Sequence, residues 1–64
     1  MATYEKAVRE LLRKHGCRFV RQGKGDHEVW YSPITNRSII VDGKIKSRHT
    51  ANAIMSQSGI NHKF

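Results

Sequence analysis

The chain is predicted to adopt an α+β fold of order α-β-β-β-α, in which two helices cover one face of a three-stranded antiparallel sheet. Three observations predict it. Apolar residues near the start recur at helical spacing, three middle segments are rich in β-branched and aromatic residues between turn sequences, and a second capped amphipathic stretch follows.

From Thr3 to His15, the apolar residues Tyr4, Ala7, Val8, Leu11 and Leu12 fall at i, i+3, i+4, i+7 and i+8, the repeat of one helical face. Thr3 is placed to cap this helix, Glu5 with Arg9 and Glu10 with Lys14 stand at i, i+4 as ion pairs, and Gly16 offers a left-handed stop. The helical repeat then ends. Cys17 to Gln22, His27 to Ser32 and Arg37 to Asp42 read as strands, since Phe, Val, Trp, Tyr and Ile suit a pleated, half-buried surface. Gly23-Lys24-Gly25-Asp26 and Pro33-Ile34-Thr35-Asn36 have turn chemistry and are short enough to join antiparallel neighbours. Asp42-Gly43 closes the third strand. Ser47 caps a second helix that carries Ala51, Ala53, Ile54 and Met55 and ends at Gly59.

Val8, Leu11, Leu12, Phe19, Ile40 and Ile54 are the expected core, while alternation alone leaves open which strand face is buried. Trp30 lies on the opposite side of its strand from Val29 and Tyr31, so one of these aromatics is core and the other is free to stack.

At 64 residues the chain is expected to be one domain, 1–64. A domain of this size buries only about 60% of its unfolded surface, so a deep enclosed site does not fit and chemistry must sit at the surface. Twelve Lys and Arg against five Asp and Glu give a net charge of +7 and a pI near 10.2, which suits a polyanion such as nucleic acid. No run approaches the ~18 apolar residues of a membrane span, and the N-terminus has no signal-peptide pattern. The expectation is a cytoplasmic protein without a membrane partner. Cys17 is the single cysteine, so no internal disulfide forms and a reducing compartment fits. His15, Cys17, His27, His49 and His62 show neither a CxxC pair nor an HxxxH spacing, so no metal site or cofactor is expected.

Four short stretches then carry a resemblance. They are Lys14-His15-Gly16 after the opening helix, Phe19-Val20-Arg21-Gln22, Gly25-Asp26-His27, and Ala53-Ile54-Met55-Ser56-Gln57-Ser58-Gly59-Ile60. In this order and spacing, over nearly the whole chain, the sequence resembles the HicA family, also called YcfA-like proteins. The resemblance implies a double-stranded-RNA-binding-domain-like fold. It also implies a toxin of a type II toxin-antitoxin system, a metal-independent endoribonuclease (mRNA interferase) that cleaves messenger RNA and is neutralised by a cognate HicB antitoxin. In that family the catalytic group is a histidine at the start of the second strand, usually after Gly-Ser, and it maps onto His27. Asp26 stands here where the serine usually stands.

The chemistry suits that reading. An RNA strand brings its own nucleophile, the 2′-hydroxyl beside the scissile phosphate, so a protein need only move protons and neutralise phosphate charge. Histidine does the first, because an unperturbed pKa near 6.5 makes both protonation states accessible at neutral pH. His27 directly follows a glycine-containing turn, where backbone can approach a ligand. Lys24 first, then Arg21, Lys46 and Arg48, are candidates to hold phosphates. Asp26 is the candidate to orient the ring, and Glu28 falls on the opposite strand face as a solvent-facing residue. Arg9 and Arg13 read as intrahelical partners. Two other readings remain open from the sequence: a non-catalytic RNA-binding module, and a pure interaction protein whose charge serves an acidic partner.

Overall fold

The computed structural model describes residues 3–64. Its elements are α1 (Glu5–Lys14), β1 (Arg18–Gln22), β2 (Glu28–Ser32), β3 (Arg37–Val41) and α2 (Arg48–Ser58), an α+β fold in the order the sequence predicts. The sheet is a meander, β1-β2-β3, with both pairings antiparallel.

Helix α1 begins one residue later than a Thr3 cap would place it, and its N-cap position is Tyr4, which makes no side-chain cap. Thr3 instead donates its hydroxyl to the Glu5 carboxylate. That carboxylate also accepts the Ile45 backbone N–H at 2.8 Å, so Glu5 ties the helix start to the segment before α2. The expected Glu5–Arg9 and Glu10–Lys14 ion pairs do not form among the described residues. Arg9 turns toward the sheet, where its Nε and Nη2 donate to the two carboxylate oxygens of Glu28 at 3.2 and 3.3 Å. A fork that meets a half-buried carboxylate bidentately gains more than an exposed i, i+4 contact, so the tertiary pair wins. Helix α2 ends as its sequence predicts. Ser47 Oγ accepts the His49 N–H at 3.1 Å, and Gly59 takes the left-handed conformation at φ 76°.

Side chains of β2 and β3 sort by parity. Trp30, Ile39 and Val41 face the helices and join Val8, Leu12, Cys17, Ile45, Ala51, Ile54, Met55 and Ile60 in the core. Leu11 packs at its edge, whereas Phe19 and Ile40, both expected inside, are half-exposed at 49% and 50%, and Ala53 is exposed. The reasons are register and edge position. Ile40 pairs with Val29 and lies on the face the helices leave open, while Phe19 pairs with Trp30 but sits on the outer strand, its ring meeting the indole edge-on. Burial settles the aromatic question as well: Trp30 is core and Tyr31 is on the open face.

Glu28, expected in solvent, is half-buried between Arg9 and the Trp30 indole, whose Nε1 donates to it at 2.9 Å. The indole hydrogen bond, and after it the Arg9 guanidinium, hold the Glu28 carboxyl below its ordinary pKa against an opposing effect of burial. A depressed folded-state pKa contributes stability that is present above the unfolded value, about 4.3, and lost as pH falls through the folded value. Thermal melts from neutral pH downward are therefore expected to stay level until about pH 4.3 and then decline. Glu28→Gln is expected to melt lower at neutral pH with a shallower acid decline, and an unchanged acid profile in that variant contradicts the assignment.

Candidate active site on the open sheet face

The β2–β3 register places the site. Pairing runs from Ser32 with Arg37 to Glu28 with Val41. One residue beyond, His27 and Asp42 come opposite each other on the face carrying Val29 and Ile40, and His27 Nε2 lies 3.1 Å from Asp42 Oδ1. The two side chains are 52% and 41% exposed, so the imidazole is open to a large ligand.

Three hydrogen bonds fix the backbone under that ring. His27 N–H donates to the Lys24 carbonyl at 3.1 Å. The His27 carbonyl accepts from Gly23 N–H at 2.7 Å and from the Gln22 side-chain amide at 2.9 Å. Gln22 also donates to the Gly25 carbonyl at 3.2 Å, and Gly25 takes a positive φ of 62°, which closes a tight turn. Across the strand ends, a Cβ on Gly43 would lie 2.7 Å from Asp26 Cβ and 2.8 Å from its carbonyl oxygen. Only glycine lets the two segments approach this closely, and the approach brings Asp42 alongside His27.

The carboxylate at the ring is therefore Asp42's, and not that of Asp26, which packs against Gly43 instead. A neighbour in sequence points along the turn, whereas the cross-strand residue shares the histidine's face. Asp42 was within reach of sequence reasoning. Counting outward six residues on each side of the four-residue Pro33–Asn36 turn pairs His27 with Asp42, provided the hairpin is in regular register.

Among the expected phosphate contacts, Lys24 lies in the same turn as His27, and Arg21 pairs with Val29 on the open face with its Nη1 donating to the Gln22 carbonyl at 3.4 Å. Lys46 and Arg48 flank Ser47 at the first turn of α2, a separate element from that turn, and both are exposed. The sequence also passed over Arg18, whose Cζ sits 5.6 Å from the Tyr31 ring centroid on the same open face.

The remaining histidines have other surroundings. His15 Nδ1 contacts the Leu11 carbonyl at 2.9 Å, and His62 packs edge-on against Phe64. A groove of about 330 Å³ lined by Ala7, Glu10, Leu11, Lys14, His62 and Phe64 includes none of the site residues. Among the described residues no three His, Cys, Asp or Glu side chains cluster as metal ligands, and no helix is long and apolar enough to cross a membrane.

No curated protein and no solved structure matches the chain. Residues 6–60 match the profile described as the HicA toxin of bacterial toxin-antitoxin, a span that runs from the first turn of α1 past α2 and contains both His27 and Asp42. With most of its length covered by that match, the chain belongs to the HicA toxin family.

Proposed function

We propose that this toxin is an endoribonuclease that cleaves messenger RNA, with His27 as its general acid/base. The observation that carries the reading is the imidazole itself: exposed, pinned through its backbone, and paired at one ring nitrogen with Asp42 at 3.1 Å. An ionised carboxylate only accepts hydrogen bonds, so Asp42 selects the tautomer with the proton on Nε2. Nδ1 then keeps its lone pair and serves as the base for the ribose 2′-hydroxyl. As that oxygen attacks the adjacent phosphorus, its proton passes to His27, Asp42 stabilises the imidazolium, and the bond from phosphorus to the 5′-oxygen breaks, leaving a 2′,3′-cyclic phosphate and a 5′-oxygen that takes a proton from the imidazolium or from water. Lys24 and Arg21 neutralise charge on the phosphate oxygens, with Lys46 and Arg48 as outer contacts. No step in this sequence needs a metal ion, because the substrate supplies the nucleophile.

The shallow site fits a polymer. It also fits inhibition by cover, since an antitoxin of the HicB type, drawn to a basic surface, silences the enzyme by sitting over His27. The test is purified protein with intact messenger RNA in EDTA. Shortened fragments are expected; RNA that is only retarded in the gel identifies a binding module instead.

Asp42→Ala is expected to lower the single-turnover cleavage rate about tenfold or more while leaving RNA affinity within about twofold, because the ring loses its tautomer and orientation but the cations remain. Equal rates for Asp42→Ala and wild type contradict the role given to Asp42.

A further inference from the structure

The open face of the sheet extends well beyond His27, and its residues form rows across the strands. The row at the rim is His27 with Asp42; the next is Arg21, Val29 and Ile40; the third is Arg18, Tyr31 and Ser38. We propose that this face binds an unpaired RNA strand, stacking a base on the Tyr31–Arg18 platform while Arg18 and Arg21 hold phosphates and His27 meets the scissile linkage. The proposal rests on the RNA reading above and names the form of RNA it takes.

Charge comes first. Arg18, Arg21 and His27 stand on this face against one carboxylate, Asp42, already paired with the histidine. A polyanion complements that balance.

The stacking platform comes second. The Tyr31 hydroxyl donates to Asn36 Oδ1 at 2.9 Å, which tethers the ring, and the Arg18 guanidinium carbon lies 5.6 Å from its centroid. Unpaired bases stack on aromatic rings and on guanidinium planes, and a preset pair presents both without further ordering. Tyr31 stands four positions along the chain from His27, about 13 Å in extended backbone, so one strand can reach both.

The third observation selects an unpaired strand over a duplex. Ile40, half-exposed, stands in the middle row beside Val29. A duplex presents phosphates and 2′-hydroxyls outward and hides its base faces, so it would bury Ile40 against polar groups. An unpaired base offers an apolar face to the same side chain. In-line attack by a 2′-hydroxyl also needs a ribose released from A-form geometry, which a single strand permits.

The test uses the His27→Ala protein, so that RNA survives the measurement. Fluorescence anisotropy at low salt compares a labelled single-stranded oligoribonucleotide with its fully paired duplex. The single strand is expected to bind more tightly, Tyr31→Phe, which keeps the ring and loses only its tether, to bind more tightly than Tyr31→Ala, and Tyr31→Ala to lose about tenfold. Ultraviolet cross-linking of the complex is expected to mark the peptide containing Tyr31, a readout that does not depend on the alanine variant folding. Equal or tighter duplex binding, an unaffected Tyr31→Ala protein, or cross-links confined to the helices would overturn the proposal. So would the absence of any RNA binding, which would leave this face to a protein partner. Cleavage by wild-type protein without dependence on Tyr31 removes this surface but keeps the nuclease; Tyr31-dependent binding without cleavage does the reverse.

Discussion

Trp30→Ala is expected to leave the protein largely unfolded at growth temperature. The indole is 1% exposed and is the largest fully buried side chain in the core. Removing a buried aromatic costs about 3–5 kcal/mol in lost transfer free energy and residual cavity. A domain of this length has only roughly 3–10 kcal/mol of stability in total. The loss extends to polar groups, since the Trp30 Nε1 donor satisfies Glu28, and without it a half-buried carboxylate keeps Arg9 alone. Arg13, whose guanidinium carbon lies 5.6 Å from the indole centroid, also loses its partner ring. Circular dichroism and thermal melts of the purified variant check this. A cooperative melt within a few degrees of wild type contradicts the placement of Trp30 as the centre of the core.

His27→Ala is expected to abolish growth arrest while leaving the fold and antitoxin binding in place. Its side chain is half-exposed and contributes no core contact, so an alanine there belongs with surface substitutions, within about 0.5 kcal/mol of wild type. Its backbone hydrogen bonds to Lys24 and Gly23 do not involve the ring and remain. A positioned acid or base supplies about 10² to 10⁴ in rate, a loss large enough to separate toxic from harmless expression. Induced expression in cells without antitoxin, with a melt of the purified variant beside it, measures both halves. Continued arrest by a folded His27→Ala protein removes the histidine from the mechanism.

Much of the fold was legible from local pattern. The α1 repeat, the three β-rich segments, Ser47 as a cap and Gly59 as a left-handed stop all depend on neighbours within a turn or a strand. What the sequence did not disclose lies between elements. Arg9 had a plausible helical partner in Glu5, and only the packing of α1 over β2 offers it the better carboxylate of Glu28. Phe19 and Ile40 are as apolar as the residues that replaced them in the core; register put Ile40 on the open face, and the outer position of β1 left Phe19 exposed although it pairs with Trp30. The candidate site followed the same division. His27 was identifiable from its place after a turn and from family resemblance, whereas Asp42 lies fifteen residues away and meets it only once the hairpin closes. Asp26 was favoured because it is adjacent in the chain, but it lies in the turn before β2 and packs against Gly43.

The most direct test is single-turnover cleavage of one end-labelled RNA by wild-type and His27→Ala protein, purified side by side and assayed in EDTA. Wild type is expected to yield discrete shortened products, with the variant slower by about 10² or more. Products appearing at the same rate with both proteins, or with neither, would contradict an imidazole acting at the ribose-phosphate linkage.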